Sequence, residues 1–311
     1  MGKTVFIFPG QGSQYVGMGK GIWDAHEDVR RLYALAGEEA GLDIAALSFE
    51  GPAGELDSDL PAQLSVYTAN EAYRLVIGRM GLRADAVTGY SMGFYSALVA
   101  CGSVTFQSGL RMVRKAGETA LAHGGGKGAM AAVIGLTVAE VEGICSGARS
   151  EGPVWVSNVN AARQALVSGS AEGVARAVAL ALEAGALSAY TLGMGAAYHS
   201  PMMEGASAIF SEYLRGVEFG GPSIPLLSYI DAGYLDTGAG IRDTVARQLS
   251  SRVLWKDSVL RLVADGADRF IETGPGSALT RMVRWVAREV EAVPAESLTG
   301  QPGQAGSSCR K

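Results

Sequence analysis

A serine between two glycines is the first residue of this sequence whose setting indicates chemistry. Ser91 lies at the centre of the segment Gly89–Gly93, and the pattern Gly-X-Ser-X-Gly is typical of a sharp turn that exposes a nucleophile. A serine hydroxyl is a weak nucleophile at neutral pH, so it needs a neighbouring base and donors for an oxyanion. So short a motif often occurs by chance, and it has weight only where a strand precedes it and a helix follows it.

The base that activates Ser91 must be a histidine or a lysine. The chain has three histidines. His26 lies at the start of a helix predicted to be exposed, and His123 lies at the end of a helix, where a C-cap explains it. His199 lies in a loop of small residues before a helix, and we predict that it is the base. The structural alternative is that His199 only caps that helix.

The predicted elements around Ser91 provide the arrangement that its turn requires. Residues 86–90 predict a short strand that runs into the turn, and residues 93–100 predict the helix that leaves it. A β-branched and aromatic segment at 3–8 predicts the first strand. The other predicted elements outside residues 127–194 are helices at 23–41, 64–80, 106–123, 202–214, 241–249, 258–265 and 278–291 and strands at 225–229 and 269–272.

A second, smaller unit is predicted inside the larger one. Glycines at 124–126 and 128 form the clearest linker, and residues 129–193 then follow the order strand, helix, strand, strand, helix, strand. That order is typical of a ferredoxin-like module. We therefore predict a large α/β domain in two parts, 1–126 and 195–292, with an insert at 127–194 and a disordered tail at 293–311.

Composition argues against several classes of function. Of the 311 residues, 48% are hydrophobic and 18% are charged, which is typical of a globular protein. The net charge of −5 and the lack of a basic block argue against a nucleic-acid partner. The widely spaced Cys101, Cys145 and Cys309 predict neither a disulfide framework nor a zinc site, and they fit a reducing cytoplasm. No apolar run approaches the length of a membrane span, and a monomer is expected.

Several further segments accompany the serine motif in a fixed order. They are Phe8–Gln14, Gln63, Gly89–Gly93, Asn158–Asn160 with Gln164 and Gly169, Tyr198–Met202, Gln248 and Leu249 with Trp255, and Glu272–Gly276. Together they resemble the malonyl-CoA:acyl carrier protein transacylase family, which includes the acyltransferase domains of polyketide synthases. The resemblance extends over about residues 3 to 290.

The resemblance implies a reaction in two halves. His199 takes the proton of Ser91, which attacks the thioester of an acyl-CoA. The oxyanion would lie between the backbone N–H groups of Gln11 and Met92, and a backbone carbonyl, for which Gln248 is placed, would orient the histidine. A thiol then takes the acyl group from the serine in a ping-pong cycle.

The resemblance also implies the fold, the partners and the acyl pocket. The fold would be α/β, with an α/β-hydrolase-like large domain that contains a parallel sheet and with an inserted ferredoxin-like small domain. The donor would be acyl-CoA, and the acceptor would be the phosphopantetheine of an acidic acyl carrier protein in fatty-acid or polyketide synthesis. No bound cofactor and no metal are expected. The substrate pocket would contain Gln63, Tyr90, Phe94, Ala116 and Asn160.

Three of these pocket residues depart from the family pattern. Tyr90 replaces a histidine, Phe94 occupies a position that is often glutamate, and Ala116 stands where malonyl-binding members carry an arginine. A guanidinium is the strong partner for a carboxylate away from water, and an unpaired buried charge costs roughly 3–5 kcal/mol. Arg114 and Lys115 are expected to point away around the helix. We therefore expect an acyl group other than malonyl, or weak binding of malonyl.

Other functions remain as alternatives at this stage. A hydrolase of the same fold would share Ser91 and His199 but would let water resolve the acyl-serine. An ordinary α/β-hydrolase esterase places its histidine near the C-terminus, and no histidine follows His199 here. An inactive binding subunit is disfavoured because Ser91, His199, Gln11 and Gln248 are all retained.

A cationic helix face is predicted near the end of the chain. Arg281, Arg284 and Arg288 would lie on one side of the last helix. Such a face is usually only solvated, and the alternative is a docking surface for an acidic protein.

Overall fold

The chain folds around two β-sheets, and the structure, a computed structural model, describes residues 2–300. Its strands are β1 (Lys3–Phe8), β2 (Ala86–Gly89), β3 (Gly128–Ile134), β4 (Val154–Ala161), β5 (Gln164–Ser170), β6 (Ser188–Leu192), β7 (Leu226–Leu227), β8 (Tyr234–Leu235), β9 (Ala267–Glu272) and β10 (Glu291–Pro294). Its α-helices are α1 (Lys20–Ala25), α2 (Glu27–Ala40), α3 (Ile44–Glu50), α4 (Ala53–Leu56), α5 (Asp59–Arg79), α6 (Gly93–Ala100), α7 (Phe106–Gly124), α8 (Val138–Ala148), α9 (Ala171–Glu183), α10 (Glu204–Leu214), α11 (Gly238–Arg247), α12 (Trp255–Ala264), α13 (Ala278–Val286) and α14 (Ala295–Leu298).

The larger sheet has the strand order β10-β9-β1-β2-β7-β8. Its first five strands are parallel, and β8 pairs antiparallel with β7. The central strand β1 is apolar on both faces, and its residues from Val5 to Phe8 are all buried, as is typical of a parallel strand covered by helices. The carboxyl ends of β1 and β2 therefore lie side by side, with Phe8 paired to Gly89. This edge positions the loops that carry Gln11 and Ser91.

The smaller unit has an antiparallel sheet in the order β4-β5-β3-β6, with α8 and α9 packed against it. It has its own core, which includes Val133, Val156 and Val167. A capping box between Thr137 and Glu140 starts α8. The element order and the sheet order are those of a ferredoxin-like module, so the predicted α/β fold class is confirmed. The predicted limits of this insert, 127–194, stay a prediction.

Three predicted elements of the larger unit were wrong in their limits. The single helix predicted at 23–41 is two helices, because His26 between them has an extended backbone. The strand predicted at 225–229 is only two residues long. The helix predicted from residue 64 begins earlier, at Asp59, and this brings Asp59 to the active-site end of α5.

The end of the last predicted helix and the start of the predicted tail were both wrong. The helix predicted at 278–291 ends at Val286, and β10 then pairs with β9. Residues 293–300 of the predicted tail are ordered, since Glu296 in α14 is buried and accepts hydrogen bonds from two tyrosines. The rest of the predicted tail, 301–311, lies outside the described residues. Arg288 follows the end of α13 and shares no helix face with Arg281, so the cationic face is smaller than predicted.

Candidate active site

Ser91 occupies a tight elbow between β2 and α6, as predicted. Its backbone is left-handed, with φ at 53°, a conformation that few side chains adopt. The flanking glycines allow this turn because the backbone on either side is very close. A Cβ at Gly89 would lie 2.2 Å from the carbonyl carbon of Gly93, and one at Gly93 would lie 2.0 Å from the carbonyl oxygen of Phe8. The elbow is therefore built against the end of β1, and it presents Ser91 at the start of α6.

His199 lies 108 residues after Ser91 in the chain and meets it from the loop that follows β6. Nε2 of His199 lies 2.7 Å from Oγ of Ser91, and its Nδ1 lies 3.0 Å from the carbonyl oxygen of Ser251. Because that carbonyl can only accept, Nδ1 carries the proton and Nε2 is free to accept the proton of the serine. His26 and His123 lie elsewhere, at the α1–α2 junction and near the end of α7.

The pKa of His199 is set mainly by burial. The ring is 6% exposed, and the loss of water lowers its pKa from 6.5 to about 4. The carbonyl groups of Ser251 and Gln248 act in the opposite direction, because they favour the protonated ring. At neutral pH His199 is therefore uncharged, which is the form that a general base requires.

Two backbone carbonyl groups act on His199, that of Ser251 and that of Gln248, and only Gln248 was named by the prediction. The carbonyl oxygen within hydrogen-bond distance of Nδ1 belongs to Ser251, and the carbonyl of Gln248 contributes less. The side chain of Gln248 is turned to other partners: it donates to the hydroxyl of Tyr95 and accepts from that of Tyr229, at 3.3 Å. The role of Ser251 could not be predicted, because every residue has a backbone carbonyl and the residue type does not show which one binds His199.

The two predicted oxyanion donors lie on adjacent loops. Gln11 follows β1 and Met92 starts α6, and neither backbone N–H has a protein acceptor within the described part of the chain. The side chain of Gln11 donates to Asp59 at 2.6 Å and accepts from Gln63 at 2.9 Å. Asp59 also accepts from the backbone N–H of Gly195 at 2.8 Å. Asp59 thus joins the Gln11 loop to the loop that leads to His199, a role that the sequence did not reveal.

Tyr90 takes the place of the expected histidine in an amide network. Its hydroxyl accepts from Nδ2 of Asn158 at 2.7 Å and donates to Oδ1 of Asn160 at 2.9 Å. Burial raises the pKa of this hydroxyl well above its usual value, so Tyr90 stays neutral. The ring packs edge-on against Trp255. Nδ2 of Asn160 is buried and has no hydrogen-bond partner within residues 2–300.

The structure places two more of the residues predicted for the substrate pocket, Phe94 and Ala116, inside the protein. Phe94 is fully buried and packs edge-on against Tyr229, which in turn lies beside His199, so Phe94 is placed behind the site rather than on an open surface. Ala116 is 3% exposed. Arg114 donates to Glu118 at 2.8 Å on the exposed side of α7, as expected for a side chain that points away.

The described residues also bear on metal binding, on membrane-spanning helices and on free thiols. Between residues 2 and 300 there is no group of three or more histidine, cysteine, aspartate or glutamate side chains that could hold a metal ion. None of the helices described is long and apolar enough to cross a membrane. Cys101 and Cys145 are free and buried, and burial raises the pKa of each thiol to about 11. Cys309 lies outside the described residues.

An α/β sheet with a serine–histidine pair at a strand–turn–helix elbow is typical of enzymes that transfer or hydrolyse acyl groups. Residues 5–309 match the family model described as acyl transferase domain. The malonyl CoA-acyl carrier protein transacylase of Bacillus subtilis (strain 168) is 35% identical over 295 residues, which are 94% of this chain and 93% of the relative. The chain therefore belongs to the malonyl-CoA:acyl carrier protein transacylase family of acyltransferases.

Solved structures agree with this membership. The acyl-carrier-protein S-malonyltransferase of Burkholderia pseudomallei 1710b superposes with a TM-score of 0.90 at 34% identity, covering 94% of this chain and 95% of the other. A malonyl-transacylase in complex with a type II polyketide synthase acyl-carrier protein superposes with a TM-score of 0.89 at 30% identity, covering 94% of both chains.

Proposed function

We propose that this chain transfers an acyl group from acyl-CoA to the phosphopantetheine thiol of an acyl carrier protein, through an ester on Ser91. The observation that carries the proposal is the 2.7 Å contact between Oγ of Ser91 and the unprotonated Nε2 of His199. The acceptor is supported by family membership and by the carrier protein bound to one relative.

In the first half of the reaction, Nε2 of His199 accepts the proton of Ser91 while Oγ attacks the thioester carbonyl carbon. The N–H groups of Gln11 and Met92 donate to the oxyanion. When the tetrahedral intermediate collapses, the carbon–sulfur bond breaks and the thiolate of CoA takes the proton from His199. The Nδ1–H bond to Ser251 stabilises the positive charge that the ring carries between these events.

In the second half the roles reverse. The carrier thiol gives its proton to His199, and its sulfur attacks the ester carbon of the acylated Ser91. The carbon–oxygen bond breaks, and the serine oxygen recovers the proton from Nε2. Cys101 and Cys145 take no part, because buried thiols with a pKa of about 11 hold almost no thiolate that could exchange with a thioester.

The acyl group is proposed to be uncharged. The named relatives are malonyl enzymes, but position 116 of this chain is alanine, and the guanidinium of Arg114 is engaged with Glu118. A malonyl carboxylate at this position would have no cation to pair with, at a cost of roughly 3–5 kcal/mol. An acyl group without a carboxylate avoids that cost.

Steady-state transfer from malonyl-CoA and acetyl-CoA, measured side by side with a phosphopantetheinylated carrier protein, tests the substrate. We expect acetyl-CoA to be the better donor, and a clear preference for malonyl-CoA would contradict the proposal. Mass spectrometry after incubation with acyl-CoA alone should find the acyl group on Ser91. Ser91→Ala is the control, and acylation that persists in this variant would remove the serine from the mechanism.

The same materials separate transfer from hydrolysis. Acyl-carrier protein incubated with the enzyme and no acceptor should remain acylated if the chain is a transferase. Free acid formed without an acceptor would instead identify a hydrolase that resolves the acyl-serine with water.

A further inference from the structure

We propose that Arg252 is a positioning residue for the general base, and that it acts by fastening the Ser251 carbonyl to the small ferredoxin-like unit. The inference rests on the proposed function, in which His199 is the base. The contacts that support it surround residues 249–253, called here the clasp segment.

The clasp segment holds His199 at two points. The backbone N–H of His199 donates to the carbonyl of Leu249 at 2.7 Å, and Nδ1 lies 3.0 Å from the carbonyl oxygen of Ser251. His199 itself has a left-handed backbone, with φ at 61°, a strained conformation that persists only where surrounding contacts hold it. The position of the clasp segment therefore sets the direction of Nε2 toward Ser91.

The opposite side of the clasp segment belongs to the small unit. Val253 donates to the carbonyl of Ser157 and accepts from the N–H of Val159, both at 2.8 Å, which forms a parallel bridge to β4. Residue 252 adds two side-chain bonds. Its Nε donates to the carbonyl of Val156 at 2.9 Å, and its Nη1 lies 2.9 Å from Glu142 on α8.

The chemistry of the guanidinium suits this task. Its donors lie in a rigid plane, so one side chain can hold a strand carbonyl and a helix carboxylate at fixed angles. The bond to Val156 is partly buried, whereas the Glu142 carboxylate is half exposed. Bonds between exposed charges contribute little, so the Val156 carbonyl is the contact that matters for position.

The same strand also fixes the nucleophile side. Asn158 and Asn160 of β4 bind the hydroxyl of Tyr90, the residue before Ser91. One strand of the small unit therefore contacts Tyr90, the residue before Ser91, and also the clasp segment that holds His199. We expect removal of the Arg252 guanidinium to affect only the clasp segment and to leave the contacts of Tyr90 in place.

The test compares Arg252→Met with Arg163→Met. Arg163 also donates to a backbone carbonyl, that of Gly135, but within the small unit and away from the clasp segment. We expect Arg252→Met to slow acylation of Ser91 by acyl-CoA about tenfold, because small misplacements of a reacting group are costly, while the KM for acyl-CoA stays within about twofold. Arg163→Met should leave both quantities unchanged. An unchanged acylation rate in Arg252→Met would overturn the proposal.

A spectroscopic readout separates positioning from general loss of structure. The proton on Nδ1 of His199 should give a low-field resonance in protein labelled with 15N-histidine, and only three histidines need to be distinguished. Arg252→Met should shift or broaden this resonance, and Glu142→Gln should not. A slow variant with an unchanged resonance and a lowered Tm would mean that Arg252 serves stability alone.

Two further outcomes keep the inference distinct from the proposed function. Arg252→Lys retains the charge and can reach one acceptor, so it should recover part of the acylation rate if Arg252→Met folds poorly; no recovery would count against the proposal. If the wild-type chain forms no acyl-Ser91 at all, the proposed function fails, while the Nδ1 resonance still decides whether Arg252 orients His199.

Discussion

Acidification from about pH 8 to about pH 5.5 should leave the acylation of Ser91 almost unchanged, because burial lowers the pKa of His199 to about 4. At pH 5.5 a base with this pKa is about 97% neutral, whereas a histidine with the ordinary pKa of 6.5 is only about 10% neutral. The two cases thus differ about tenfold in acylation rate at this pH. Below pH 4 the rate should fall about tenfold per pH unit.

The assay is kcat/KM for release of CoA from acetyl-CoA across this range, since kcat/KM follows ionisation of the free enzyme. Acetyl-CoA is chosen because its acyl group has no carboxylate that titrates. Acetyl-pantetheine, which lacks the phosphates of CoA, is the control for ionisation of the donor. A midpoint near pH 6.5 would refute the reasoning, because it would mean that water reaches His199 in the free enzyme and that burial does not set its pKa.

The same lowered pKa of His199 predicts that stability depends on pH. Above about pH 6.5 His199 is neutral in both the folded and the unfolded chain. As the pH falls toward 4, only the unfolded chain takes the proton, so the free energy of unfolding should drop by about 3 kcal/mol in total. Denaturant titrations of wild type and His199→Gln at about pH 7 and pH 5 check this, and an equal drop in both proteins would contradict it. For substrate choice, Ala116→Arg should raise the ratio of malonyl to acetyl transfer by about tenfold or more, since it adds a bidentate partner for the carboxylate. Ala116→Met is the uncharged control of similar length, and equal ratios in the two variants would mean that position 116 does not face the acyl group.

The elbow was predictable because its requirements are local. Gly89 and Gly93 are needed where backbone approaches backbone, and the strand and helix beside them have clear patterns in the sequence. The base followed by elimination among few histidines, and the 2.7 Å contact agrees with it. The ferredoxin-like unit was predictable for a similar reason, since its strand and helix order is continuous in the chain.

The remaining parts depend on contacts between distant segments. Ser251 holds His199 through a carbonyl that every residue has, and its position follows from a bridge to β4, about ninety residues earlier. Asp59 acts through bonds to Gln11 and Gly195, which a reading of single motifs does not connect. At the C-terminus, residues 287–289 are good helix formers, so nothing local predicts the end of α13; pairing of β10 with β9 overrides their propensity.

The position of β1 has a consequence for how the protein is made. The first strand of the chain lies between β2 and β9, so one of its edges has no partner until residues 267–272 have been synthesised. Until then a ribosome-bound chain presents an apolar strand, Val5 to Phe8, with unpaired backbone groups. The small unit, whose strands are continuous in sequence, can complete its sheet well before that point. The backbone groups on this edge of β1 therefore wait far longer for their partner during synthesis than those of any strand in the small unit.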